Sequence, residues 1–193
     1  MTFRRTRCPS CKGKLEQGQR IHISCIDAYA ESEAAKAQRK TEKQARMAAK
    51  VERVETRRRK DEMKSHGELL AEAQKEFNAF IRERDKEKGC FVCGKPFPDR
   101  DLGGSFDAGH VRSRGAAGQH RFNESNCMGE CKECNSSWGA KPHQIKAGAI
   151  ARIGVEQYEA LENDNTPRKW TKDELRAIKA EYRAKTKELK GMA

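Results

Sequence analysis

No run of about eighteen apolar residues occurs in the chain, which excludes a membrane-spanning helix of ordinary length. The opening residues, MTFRRTRCPSCKG, lack the apolar core of a secretion signal, so a cytoplasmic location is expected. Apolar side chains are scarce in general: hydrophobic types make up 35% of the 193 residues and aromatic ones 6%, against 36% charged. That excludes one large core running the whole length, and small stapled modules are expected instead. Carboxylates are also in deficit, with 29 Asp and Glu against 41 Lys and Arg, a net charge of +12. Such a surplus draws a protein toward polyanions, and with no membrane segment the first candidate is nucleic acid, bound in a steeply salt-sensitive way.

What the chain does have is cysteine. Eight are present, mostly as CxxC pairs, and in a reducing cytoplasm that spacing points to metal ligands rather than disulfides. In residues 1–26, Cys8 and Cys11 on one turn and His22 and Cys25 further on offer the four N/S donors that tetrahedral zinc prefers. RIHISC alternates like a short strand. The alternative, buried or idle thiols, leaves a segment with almost no large apolar residues and no means of folding.

Residues 27–66 form the next region, in which 27–64 contain no Gly or Pro and are rich in Ala, Glu, Lys, Arg and Gln, predicting one long helix. Its apolar residues are too sparse for a sustained coiled-coil seam, although a homodimer through this helix stays open. Two readings of its basic surplus remain: a solvated spacer, or a basic rod along a DNA backbone centred on Arg57, Arg58, Arg59 and Lys60. A second helix is predicted from near Glu68, with Leu69, Ala73, Phe77, Phe80, Ile81 and Arg84 as a stripe facing the metal module that follows at Gly89. Towards the C-terminus, Ile145, Ala149, Ile153, Tyr158 and Leu161 mark one buried helical side, and Thr171 to Glu174 form a capping box opening the last helix.

Cys90, Cys93, Cys131 and Cys134 have the spacing of a structural zinc site closing a treble clef, so about two zinc ions per chain are expected. Four thiolates leave that ion no open position, so chemistry must come from the finger between the pairs. The finger contains FDAGHVRSRG and RFNESN, and Asn135 follows the last cysteine. His110, Asn126 and Asn135 in this order resemble the HNH, or ββα-metal, nuclease motif. The resemblance implies His110 as general base on a water attacking a phosphodiester, Asn126 as the residue fixing its loop, and Asn135 as ligand to one Mg²⁺ or Mn²⁺. That motif carries a carboxylate directly before the histidine, where this chain has Gly109. Asp107 is the nearest substitute, but three residues from His110 on a regular strand it points to the other face unless a bulge intervenes at Ala108-Gly109. The bland reading of His110 is a structural histidine or a spare zinc ligand. His120 and His143 receive no role, and Cys127 reads as a small buried hydrophobe.

Taken together, the N-terminal cysteine cluster, the charged helix, NAFIRERD, DAGH, RFNE, the final CxxCN, IARIG and the W-T-x-x-E segment running to AIKAEY resemble the phage lambda NinG (Rap) recombination protein family over nearly the whole chain. The chain departs from that relative in its Cys-Cys-His-Cys cluster and in Met128, which stands where the relative has a histidine. The resemblance implies a metal-dependent DNA endonuclease in a bacterial host cell, cutting four-way junctions and D-loops, with phage or host recombination proteins as partners. Arg112, Arg114 and Arg121 flank the finger and are expected to grip phosphates. Two other functions stay open: an HNH nuclease acting on ordinary duplex, and a non-catalytic zinc DNA-binding mediator. The expected fold is mainly α with small zinc-stapled α+β modules: an N-terminal CCHC finger, a long charged helix, and in residues 67–193 an HNH-like treble-clef core with C-terminal helices.

Overall fold

The computed structural model describes residues 5–98, 105–136 and 138–191. They fall into two compact units, residues 1–63 and 64–193. In chain order the elements are α1 (Ile26–Glu62), α2 (His66–Asp85), β1 (Phe106–His110), β2 (Cys127–Cys131), α3 (Pro142–Ile153), α4 (Val155–Asn163) and α5 (Lys172–Leu189). The chain is mainly helical, and among the described residues no helix is long and apolar enough to cross a membrane.

In the first unit a single bridge pairs Arg7 with Lys14, and a 3-10 turn at Ile23–Cys25 leads into α1. RIHISC is therefore a turn and not the strand its alternation suggested. His22 and Cys25 lie three residues apart, and a tight helical turn brings such positions to one side where a strand would send them to opposite faces. No residue of α1 is buried, and Met47, Val51 and Val54 stand 57%, 66% and 63% exposed. Its surface is laced with pairs such as Lys36–Glu33 at 2.8 Å and Arg58–Glu55 at 2.9 Å, each adding only a few tenths of a kcal/mol.

The second unit begins with a capping box in which the Ser65 side chain accepts from the Glu68 N–H and opens α2 at His66, two residues before the predicted start near Glu68. The α2 stripe of Leu69, Ala73, Phe77, Phe80 and Ile81 meets Leu175 and Tyr182 of α5. Phe77 anchors this core edge-on to Tyr182 at 4.8 Å and to Phe122 at 5.7 Å. The sequence placed the stripe against the metal module. The structure gives its main contact to α5, which the Thr171–Glu174 capping box opens as predicted, and leaves the ribbon the flank, with Ala108 and Cys127.

β1 and β2 form a two-stranded antiparallel ribbon in unbroken register, from Phe106 opposite Cys131 to His110 opposite Cys127. Pleating turns Ala108, His110 and Cys127 towards the α2–α5 core and Met128 towards a second, smaller core with Phe91 and Ala149. Ile145, Ile153 and Tyr158 of α3 and α4 close that second core. The helical segment predicted as continuous breaks at Gly154, whose φ of 85° is strained for a residue bearing a side chain. At the end of α2 the Asp85 carboxylate, 1% exposed, accepts from the Gly129 N–H at 2.9 Å and pairs with Arg84. Arg84 in turn donates to the Cys127 carbonyl at 2.8 Å, so the helix end holds β2 by its backbone.

Candidate functional site

Two sets of donors are assembled: Cys8, Cys11, His22 and Cys25, and Cys90, Cys93, Cys131 and Cys134, each with ligand atoms within 4.8 Å of one another. Both could hold zinc. In the first, His22 turns Nδ1 to within 3.2 Å of Cys11 Sγ while Nε2–H donates to the Lys14 carbonyl at 3.0 Å, the outer contact that orients a ligating imidazole. Burial raises the Cys8 thiol, yet backbone hydrogen bonds involving His22, Cys11 and Ser10 outweigh it and hold the thiol down to about 6. Cys25 and Cys134 are pushed up instead, by burial first and by neighbouring cysteines next. Three thiols in the first cluster and four in the second, this close together, cannot all ionise without a cation to share, as expected of a metal site.

Beside the second cluster, one face of the ribbon gathers oxygen donors. Asp107 accepts from Asn135 Nδ2 at 3.1 Å and from Lys132 Nζ at 2.8 Å. Glu130 is directly opposite Asp107 in the register, so the two carboxylates share that face. Glu130 is 4% exposed, and among the described residues no donor to its carboxylate is found. Burial, and then the Asp107 charge, push its carboxyl up to about 7. A Cβ at Gly109 would collide with the Glu130 carboxylate, so the glycine is the cradle in which that group rests. The structure thus brings Asp107 and Asn135 together, and adds Glu130.

His110 is not part of that gathering. No bulge interrupts β1, so its ring lies on the opposite face, 6.3 Å from the Phe77 ring. Nε2–H donates to the Arg121 carbonyl at 3.1 Å and Nδ1 faces Cys127 Sγ at 3.7 Å. It belongs to neither ligand set, and burial, joined by the Arg114 and Arg121 charges, keeps the imidazole neutral. Asn126, fully buried, accepts from the Arg112 N–H at 2.8 Å and donates to the Arg112 and His120 carbonyls, both at 3.1 Å. It therefore pins both ends of the loop whose Arg121 carbonyl anchors His110.

The basic residues divide. Arg114 and Arg121 line a cleft beside α2. Arg112, expected at a phosphate, instead donates to the Leu161 and Asp164 carbonyls at 2.6 and 2.8 Å, completing the C-terminal end of α4. On α1, Arg58 and Arg59 both reach Glu55, and Arg57 and Lys60 are exposed alongside them.

The model of the bacteriophage lambda NinG protein family matches residues 2–191. The chain belongs to that NinG family. It is 38% identical over 132 residues to Protein ninG of Escherichia phage lambda, covering 68% of this chain and 62% of that one. It is 37% identical over the same length to Protein ninG of Salmonella phage P22 and of Escherichia phage 933W, covering 63% of each. The NinG match thus spans under two thirds of the length of these relatives. No solved structure matches the chain.

Proposed function

We propose that this NinG family member is a divalent-cation-dependent DNA endonuclease that cuts branched recombination intermediates, four-way junctions and D-loops among them. The observation that carries the reading is the trio Asp107, Glu130 and Asn135. Two carboxylates directly opposite on a ribbon repel, and the more buried of them, Glu130, is 4% exposed. All-oxygen donors of this kind fit Mg²⁺ or Mn²⁺. Glu130 fills the space a side chain at Gly109 would take, so the carboxylate missing from the position before His110 is replaced from across the ribbon. Such an ion, when bound, neutralises charge on the leaving oxygen.

His110 supplies the base. Its Nε2–H is committed to the Arg121 carbonyl, so on this neutral ring a proton from water goes to Nδ1, which must first give up its 3.7 Å contact with the Cys127 thiol. Three residues of strand span about 10 Å, so a phosphodiester at the free edge of β1 meets the oxygen cluster on one side and the imidazole on the other. Arg114 and Arg121 hold neighbouring phosphates.

The test incubates the protein with synthetic four-way junctions, flaps and linear duplex, with and without Mg²⁺. Junctions are cut only with the cation, and His110→Ala still binds them while cleavage falls about 10²- to 10⁴-fold. Unchanged cleavage in His110→Ala overturns the assignment, and equal cutting of linear duplex selects an ordinary HNH nuclease. The Cys127 contact at Nδ1 favours a second reading, a non-catalytic zinc DNA-binding mediator of recombination. Junction binding with no cleavage under either Mg²⁺ or Mn²⁺ selects it.

A further inference from the structure

Two clefts of ≈ 400 and ≈ 410 Å³ open on the second unit and adjoin, since Arg121 lines both. Between them they present Lys75, Arg114, Arg121, Arg168 and Lys169, and no aspartate or glutamate lines either one. Elsewhere on this surface cations are commonly matched by a carboxylate, as at Lys86–Glu83 and Lys185–Glu181. Among the described residues only Arg168 of the five is matched by a carboxylate, Glu174 at 3.0 Å, so the clefts keep a surplus of positive charge that favours an anion.

The far end of the second cleft holds a flat, prepared surface. Trp170 is fixed by its Nε1–H donating to the Gly118 carbonyl at 3.2 Å and by an edge-on contact with Phe122 at 5.1 Å. The Arg168 guanidinium lies over the indole at 4.1 Å and is itself held by Glu174 at 3.0 Å. Stacked indole and guanidinium planes are the surfaces on which nucleobases pile. A duplex hides the faces of its bases, and an unpaired strand offers them.

We infer that the paired clefts bind an unpaired DNA strand, with phosphates along Lys75, Arg114 and Arg121 and one base against the Arg168–Trp170 stack. Arg121 ties the strand to the His110 side of the ribbon, because its own carbonyl holds that ring. The site rests on the nucleic-acid reading above and supplies what distinguishes a branch from plain duplex: bases that are not paired.

The test uses the full zinc-loaded chain without added Mg²⁺, a short oligothymidine, and a blunt duplex of the same length. The chain has two tryptophans, so Trp138→Phe leaves Trp170 as the only indole reporter. Oligothymidine then quenches its fluorescence and the blunt duplex does not. Arg168→Ala, an exposed position, weakens oligothymidine binding about ten-fold and duplex binding much less. Lys75→Glu weakens it too and lowers the salt slope by about one. Equal affinity for the two DNAs with no quenching, or an Arg168→Ala protein indistinguishable from the parent, overturns the site. A protein that binds oligothymidine in this way but cuts no junction overturns the nuclease reading alone. One that cuts junctions but is indifferent to Arg168→Ala overturns this site alone.

Discussion

Around the first cysteine cluster the described chain buries only Cys8 and Leu15, whereas around the second it buries Phe91, Phe106 and Met128, with the Phe77–Tyr182 core adjoining the same ribbon. The donor chemistry is nearly the same in both, and the support is not. In the first cluster a bound metal would stand in for a core, because almost no apolar area is removed from water there. In the second a metal would join two chain segments that already have cores on either side, so its contribution would be to hold a shape whose stability has other sources.

Removing zinc breaks this comparison most sharply. Metal binding to small zinc modules is worth about 10–16 kcal/mol of folding free energy, so chelation should unfold the first cluster outright. Amide spectra would show residues 7–25 collapsing to random-coil positions while amides of α2 and α5 stay protected. A first cluster still folded without metal would erase the distinction. Next in size is Phe77→Ala, at a fully buried ring in the centre of the second unit. About 3–5 kcal/mol should be lost in urea unfolding, with the zinc content of the first cluster unchanged.

A smaller effect separates the oxygen cluster from both thiolate sites. With its folded carboxyl raised from 4.5 to about 7, Glu130 binds more protons folded than unfolded between those values. In the absence of a divalent cation stability therefore falls as pH rises through that window. Mg²⁺ or Mn²⁺ must displace that proton, so cation affinity and the thermal stabilisation it gives should rise towards and above pH 7, and Glu130→Gln should flatten the rise. Calorimetric titration at several pH values checks this, and an affinity independent of pH would refute it. The smallest change expected is Thr171→Ala, which removes the α5 cap for about 1 kcal/mol in the second unit.

The sequence made the helices legible because their signals are local. Absence of Gly and Pro marked α1, and the Thr171–Glu174 box marked the start of α5. Both cysteine sets were readable for the same reason: CxxC spacing is a property of one turn. Glu130 was not readable, because its place depends on which residue faces Asp107 across a ribbon whose strands are separated by a long loop. No pattern in the intervening residues fixes that register. The carbonyls ending α4 that Arg112 reaches were not readable either, because they lie about fifty residues downstream of it. RIHISC shows the converse, where alternation was present but the need to aim His22 and Cys25 at one point overrode it.

Arg112 reaches from the residue pair after His110 to the last turn of α4, and its own N–H is held by Asn126. The clasp ties the segment that follows the strand to that distant helix. Asn165 completes the clasp at 2.7 Å, so the end of α4 and the chain just beyond His110 are tied to each other by one guanidinium.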